Sequence, residues 1–163
     1  MNKICEIIAT LFYSGYSAIA PGTVGTFLSL IICLPFAFYP SLLGFTLLTF
    51  AAIIAGFVAT HIFLNGKTED LQHIVIDEMA GLYIAILLPM VAIKTFHINI
   101  QMIYIFITSF ILFRIFDITK PLIIGYADKN LHGAIGIMMD DIIAGLFAGI
   151  LLSIIILTYH FFQ

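Results

Sequence analysis

The sequence predicts an all-α integral membrane protein, a compact multi-helix bundle with several transmembrane or partly spanning helices. Three observations carry that reading. Hydrophobic residues make up 63% of the 163 residues and charged residues only 9%, whereas a soluble domain carries about a quarter charged residues. The mean hydropathy of +1.19 leaves too little polar surface to face water. The apolar runs are long and unalternating, without the period-2 pattern a membrane barrel requires. The length suits a single domain, residues 1–163, and no internal repeat or low-complexity linker divides it.

Residues 4–20 are apolar enough for a half-buried or re-entrant helix. Lys3, this stretch and Ala18-Ile19-Ala20 imitate a secretory signal with a small-residue cleavage site. Glu6 interrupts the apolar region and Pro21 follows the supposed site, so the segment is expected to be retained. Five further apolar stretches follow at residues 24–39, 42–64, 79–93, 98–113 and 142–162. Two reach the roughly 20 residues of a full span. The others are short, with Pro35 and Pro89 near their ends, and are candidates to cross only partly.

Polar residues gather in two loops, 65–76 and 114–139. Alternating helices put both loops on the side of the N-terminus, with Lys3, Lys67, Arg114, Lys120 and Lys129, against Lys94 alone on the other. Positive charge marks the cytoplasmic face, so the N-terminus is expected inside and the C-terminus outside. A net charge of −3 without a basic stripe gives nucleic acid no electrostatic footprint. Cys5 and Cys33 lie among apolar neighbours, outside any metal or redox spacing, and are expected to be packing residues.

Six of the nine acidic residues fall in three clusters: Asp77-Glu78, Asp117 with Asp128, and Asp140-Asp141. Acids near lipid mark functional sites by default, and hard carboxylate oxygens suit a divalent cation such as Mg2+. Asp77-Glu78 is expected to begin a helix, where one acid would satisfy the helix dipole and two favour a ligand role. Arg114, Asp117, Lys120 and Pro121 follow the spacing R-x-x-D-x-x-K-P. On a helix the first three stack on one face, either as an ion-pair ladder or as a phosphate pocket beside a metal ligand. Pro121 should stop that helix after Lys120. Asp128, Lys129, His132, Gly133 and Gly136 precede Asp140-Asp141, with glycines that free N–H groups for an anion and a histidine suited to proton transfer or to a plain surface role. Asp140-Asp141 is expected to open the last helix. Ala144, Gly145, Ala148 and Gly149 then allow a close approach to the helix bearing Asp77-Glu78. Ala20-Pro21-Gly22-Thr23-Val24-Gly25-Thr26 is a glycine-rich turn into a helix, whose N-terminus offers N–H donors to phosphate.

Together these segments resemble the phosphatidylglycerophosphatase A family. The resemblance runs from Ser14-Gly15 through the Ala20–Thr26 turn, then Val75 to Gly81, Phe113 to Pro121, and Asp128 to Asp141, in the family's order over about residues 12 to 150. Leu122 and Ile123 depart from it, since members often carry aromatic residues or a second proline after the Lys-Pro pair. The resemblance implies Mg2+-dependent hydrolysis of phosphatidylglycerophosphate to phosphatidylglycerol and inorganic phosphate. It also implies a multi-pass protein of the bacterial inner membrane with its site facing the cytoplasm. On this reading Asp77, Glu78, Asp140 and Asp141 hold Mg2+, with Asp117 or Asp128 as a further ligand. Arg114, Lys120 and Lys129 neutralise the phosphoryl group, Gly22, Thr23 and Asp128 contact the substrate, and His132 or a spare carboxylate handles protons.

No cysteine begins a C-x5-R loop, and neither a D-x-D-x-[TV] stretch nor paired histidine phosphatase motifs occur. Attack by a metal-activated water is therefore expected rather than a covalent intermediate. Two alternatives were a small ion or proton-coupled transporter and a CDP-alcohol phosphotransferase-like enzyme. The first predicts acids spread through the bilayer depth, and the second a D-G-x2-A-R…G-x3-D-x3-D pattern that this sequence does not contain.

Overall fold

Residues 3–65 and 73–162 are described by a computed structural model; Lys67, one of the charges used to orient the chain, lies outside them. Among the described residues the apolar runs form helices and no strand. The first, α1 (Lys3–Ala9), is shorter than the helix expected over residues 4–20. Leu11, Phe12 and Tyr13 leave it with φ of 44°, 54° and 66°, and a 3-10 turn follows at Ser14–Tyr16. The Val75 N–H donates to the Ala9 carbonyl at 3.0 Å, and the Tyr16 ring stacks on His73 at 4.5 Å. This segment is thereby tied to the approach to α5 (Ile76–Thr95).

α2 (Pro21–Cys33) begins at a proline, whose missing N–H is no loss in a first turn. Pro35 separates it from a single further turn, α3 (Pro35–Phe38), so the run over residues 24–39 is two helices rather than one. α4 (Leu42–Leu64) starts where the Ser41 hydroxyl accepts the Gly44 N–H. α5 continues through Pro89, and α6 (Met102–Thr119), α7 (Ile123–Asn130) and α8 (Gly133–Phe161) complete the chain.

Four helices, α4, α5, α6 and α8, are long and apolar enough to span a membrane, two more than their apolar stretches alone indicated. The excess is α5 and α6, which carry polar residues inside their ends: α5 begins three residues before 79, and α6 runs six residues beyond the expected end at 113. α8, whose apolar stretch already reached a full span, begins nine residues before 142. Gly133 turns into α8 with φ of 65°. Gly136 sits so close to the Leu131 carbonyl that a Cβ there would lie 2.5 Å away. Gly133 thus makes the turn into the helix and Gly136 a tight approach, where a loop was expected. Asp140-Asp141 consequently lies two turns inside α8, not at its opening.

α5 is the hub. In the bundle, 72% of its spanning window is buried, against 22–33% for the other three long helices. It crosses α8 at glycines: a Cβ on Gly81 would meet the Asp141 carbonyl oxygen at 2.5 Å, and one on Gly145 would collide with the Gly81 carbonyl. Ala144 and Ala148 are fully buried along the same contact, as the small-residue spacing predicted. Buried polar groups find backbone partners, with Tyr83 donating to the Ser29 carbonyl and Ser109 to that of Ala85. Leu43, Leu47, Phe50, Ile54, Val58 and Ile62 are exposed along α4, an apolar face that lipid can solvate and water cannot. Cys5 and Cys33 are buried and unpaired with each other, as expected.

Candidate active site

Four elements meet at one end of the bundle: the start of α2, the start of α5, the end of α6 and the third turn of α8. Lys94 sits in the last turn of α5, at the far end. Arg114 organises the first half of the site. Its Nη1 lies 3.3 Å from Glu78 Oε1 and 2.5 Å from Asp117 Oδ2, and donates to Thr26 Oγ1 at 3.2 Å. Its Nη2 donates to Thr23 Oγ1 at 3.2 Å. Thr26 donates in turn to Glu78 Oε2 at 2.6 Å. The Arg114, Glu78 and Asp117 side chains are only 11–14% exposed. Buried charges of this kind persist because each is paired and hydrogen-bonded.

Gly22 abuts Glu78 so closely that a Cβ would collide with its Oε1, which lets the first turn of α2 lie directly over the carboxylate. Thr26 was named only as the end of the glycine-rich turn. Its i, i+3 relation to Thr23 was the available signal, since it puts both hydroxyls on one helix face. Its partner Glu78 is 52 residues away in sequence, a relation no local spacing discloses.

Lys120 organises the second half. The expected ladder along α6 breaks there, because Lys120 is the residue after the helix, with φ of 42°. Pro121 cannot continue α6, and the left-handed turn carries Lys120 off the Arg114–Asp117 face. Its Nζ pairs with Asp128 and reaches Asp140 Oδ2 at 2.8 Å. Partial burial lowers the Lys120 pKa, but these two carboxylates outweigh that effect and hold it above its ordinary value. Asp140 Oδ1 also accepts the Asp141 N–H at 3.1 Å.

Between the halves lie Asp77 and Asp141, neither paired with a cation among the described residues. Both are buried among like charges, Asp77 beside Glu78, Asp117 and Asp140, and Asp141 beside those three and Asp77. The Asp77 Oδ1 atom is buried without a hydrogen-bond partner. Among the described residues no three His, Cys, Asp or Glu side chains converge as a ready-made ion site. The donor chemistry nevertheless fits a small hard cation: the oxygens are carboxylates, and an unpartnered one faces like charge.

His132, Asp128, Gly133 and Gly136 line a pocket of about 150 Å3 beside Asp140. Lys129 is exposed in the last turn of α7 and pairs with none of the clustered acids. A larger cavity of about 550 Å3, with Met90, Lys94 and His97 among its lining, lies at the far end of α5. It holds no carboxylate, so charge rather than volume marks the site.

The phosphatidylglycerophosphatase A family model matches residues 7–156. A Bacteroides thetaiotaomicron protein, provisionally named phosphatidylinositol-3-phosphatase, is 39% identical over 155 residues, covering 91% of each chain. The phosphatidylglycerophosphatase A of Escherichia coli K12 is 34% identical over 158 residues, or 93% of this chain and 83% of its own. That of Haemophilus influenzae Rd is 33% identical over 156 residues, or 91% and 85%. No solved structure gives a significant match.

Proposed function

Because the chain belongs to the phosphatidylglycerophosphatase A family, we propose that it hydrolyses the terminal phosphate of phosphatidylglycerophosphate with the aid of Mg2+. The products are phosphatidylglycerol and inorganic phosphate. Family membership supports the enzyme class, a phosphoric monoester hydrolase acting on a membrane lipid. The observation that carries the mechanism is the meeting of Asp77-Glu78 and Asp140-Asp141, on two touching helices, with Arg114 and Lys120 on either side.

Asp77, Glu78, Asp140 and Asp141 are the residues that would hold Mg2+, with Asp77 and Asp141 giving oxygens free of protein cations. When bound, the ion supplies Lewis-acid polarisation of the phosphoryl group and a water of lowered pKa. Arg114 and Lys120 neutralise the charge on the transferring phosphoryl, where positioning and electrostatics do most of the catalysis. Thr23 and the free N–H groups in the first turn of α2 orient the phosphate. His132, at the pocket beside Asp140, delivers a proton to the departing alcohol. Positive charge gathered at the site's end of the bundle supports a cytoplasmic orientation in a bacterial inner membrane.

The test is phosphate release from phosphatidylglycerophosphate by detergent-purified protein, with Mg2+ and then with EDTA. Release that stops with EDTA is expected; release unaffected by EDTA removes the metal, and none from folded protein removes the substrate. A second reading, phosphatidylinositol 3-phosphate, is favoured by the relative at 39% identity. Both lipids present a phosphate monoester on a polyol, and their relative kcat/KM in the same assay decides between them.

A further inference from the structure

Asp140, Phe147 and Ile154 follow at seven-residue intervals, so one stripe of α8 leads from the acid cluster into the membrane-facing half of the helix. Along that stripe Phe147, Ile150, Leu151 and Ile154 form a groove with Phe116 of α6, about 270 Å3 in volume and almost wholly apolar. Phe116 neighbours Asp117, a partner of Arg114, and its ring lies 6.0 Å from that of Phe147. The groove therefore begins about two turns of α8 from Asp140, beside the end of α6 that carries Arg114 and Asp117. We propose that it seats one acyl tail of the lipid whose phosphate lies in the acid cluster. The proposal rests on the lipid-phosphatase reading and extends it to how the enzyme holds its substrate.

Length argues for this occupant. From Asp140 to Phe147 is seven residues of helix, or about 10 Å. In phosphatidylglycerophosphate the terminal phosphorus is eight bonds from the carbon that begins the acylated glycerol. At the roughly 3.5 Å that three extended bonds span, that is also about 10 Å. Phosphatidylinositol 3-phosphate has the same eight bonds, so the groove serves either polyol. A lipid with its phosphate between Arg114 and Lys120 thus brings its acylated glycerol to Phe116 and Phe147, and three bonds further, about 3.5 Å, its first tail carbons to Ile150 and Leu151. Bilayer lipid is as apolar as the groove, so fit rather than exclusion from water retains the tail. The groove consequently acts on KM, and modestly.

The experiment uses full-length protein in phosphatidylcholine vesicles with a photoreactive phosphatidylglycerophosphate carrying a diazirine near the carboxyl end of one tail. Adducts should concentrate on Phe116 and residues 147–154 and fall at least fivefold with excess unlabelled substrate. Adducts spread equally over the exposed face of α4, or indifferent to competitor, overturn the proposal. In the kinetic arm, Leu151→Trp should raise KM about tenfold for the long-tailed substrate and leave hydrolysis of the deacylated head group unchanged. Ile54→Trp on α4 should change neither. An unchanged KM in Leu151→Trp, or an equal loss on both substrates, overturns the groove. Absence of phosphate release by the unaltered protein is instead a failure of the phosphatase reading, and the labelling still decides where the tail lies.

Discussion

The two cations of the site are held in opposite ways. Arg114 projects from inside α6 onto four partners: buried Thr26, the largely buried Glu78 and Asp117, and exposed Thr23. Lys120 stands beyond the helix end, and its Asp128 partner is 38% exposed. A guanidinium suits the first position because its planar fork satisfies several acceptors at once, and an ammonium suits the second because it is a mobile point charge. On the proposed function, the difference gives the first half the added task of holding the site's shape and leaves the second freer to meet a substrate that arrives and leaves. Asp77 and Asp141 lie between them without a cation of their own.

The contrast can be sharpened first at its centre. Asp141→Asn should lower kcat by about 10^3-fold, the scale for losing one preorganised electrostatic contact, with an unchanged circular-dichroism spectrum. Near-normal turnover would take Asp141 out of the site. Arg114→Lys comes next: it keeps the charge and loses the fork, so kcat should fall about 100-fold. The melting temperature should fall with it, since orphaned buried acceptors cost about 1–3 kcal/mol. Lys120→Ala should raise KM about tenfold, equivalent to roughly 1.4 kcal/mol, with little change in melting. If Arg114→Lys melts normally while Lys120→Ala unfolds, the division of roles is reversed.

Asp128→Asn is the mildest, a change of about threefold or less in KM, as exposed ion pairs contribute some 0–1 kcal/mol. The raised pKa of Lys120 gives a related expectation. A lysine whose folded value exceeds its unfolded one contributes fully below the unfolded value, about 10.4, and loses that contribution as pH rises through the folded one. An alkaline fall in kcat/KM below pH 10 would therefore belong to another group, and Lys120→Arg should leave its midpoint in place.

Much of this was legible in the sequence because it depends on local period. Long apolar runs gave the helices, and Asp77-Glu78 was placed correctly at a helix start. The small residues Ala144, Gly145, Ala148 and Gly149 pointed to the crossing with α5. The errors have physical causes. Gly133 and Gly136 read as a loop, but Gly133 makes the left-handed turn into α8 and Gly136 serves a close contact with Leu131, which moves Asp140-Asp141 inward by two turns. The i, i+3 spacing stacks Lys120 on the face of Asp117, as a ladder or a phosphate pocket, whereas a left-handed residue ahead of a proline redirects it to Asp128 and Asp140. Thr26 escaped notice because its significance lies in Glu78, a tertiary partner.

The contact of Gly81 with Gly145 has a mechanical meaning. Two helices whose backbones close on each other over one short stretch, from Gly81 against Asp141 and Gly145 to Ala85 beside Gly149, share a fulcrum there, and the acids of α5 and α8 lie within about two turns of it. A bilayer that is too thick or too thin is accommodated by helix tilt. Tilt about a fulcrum displaces far ends most and the pivot least. Lys94 and the C-terminal turns of α8 would take up the mismatch, leaving the carboxylates at nearly constant spacing as the surrounding membrane changes.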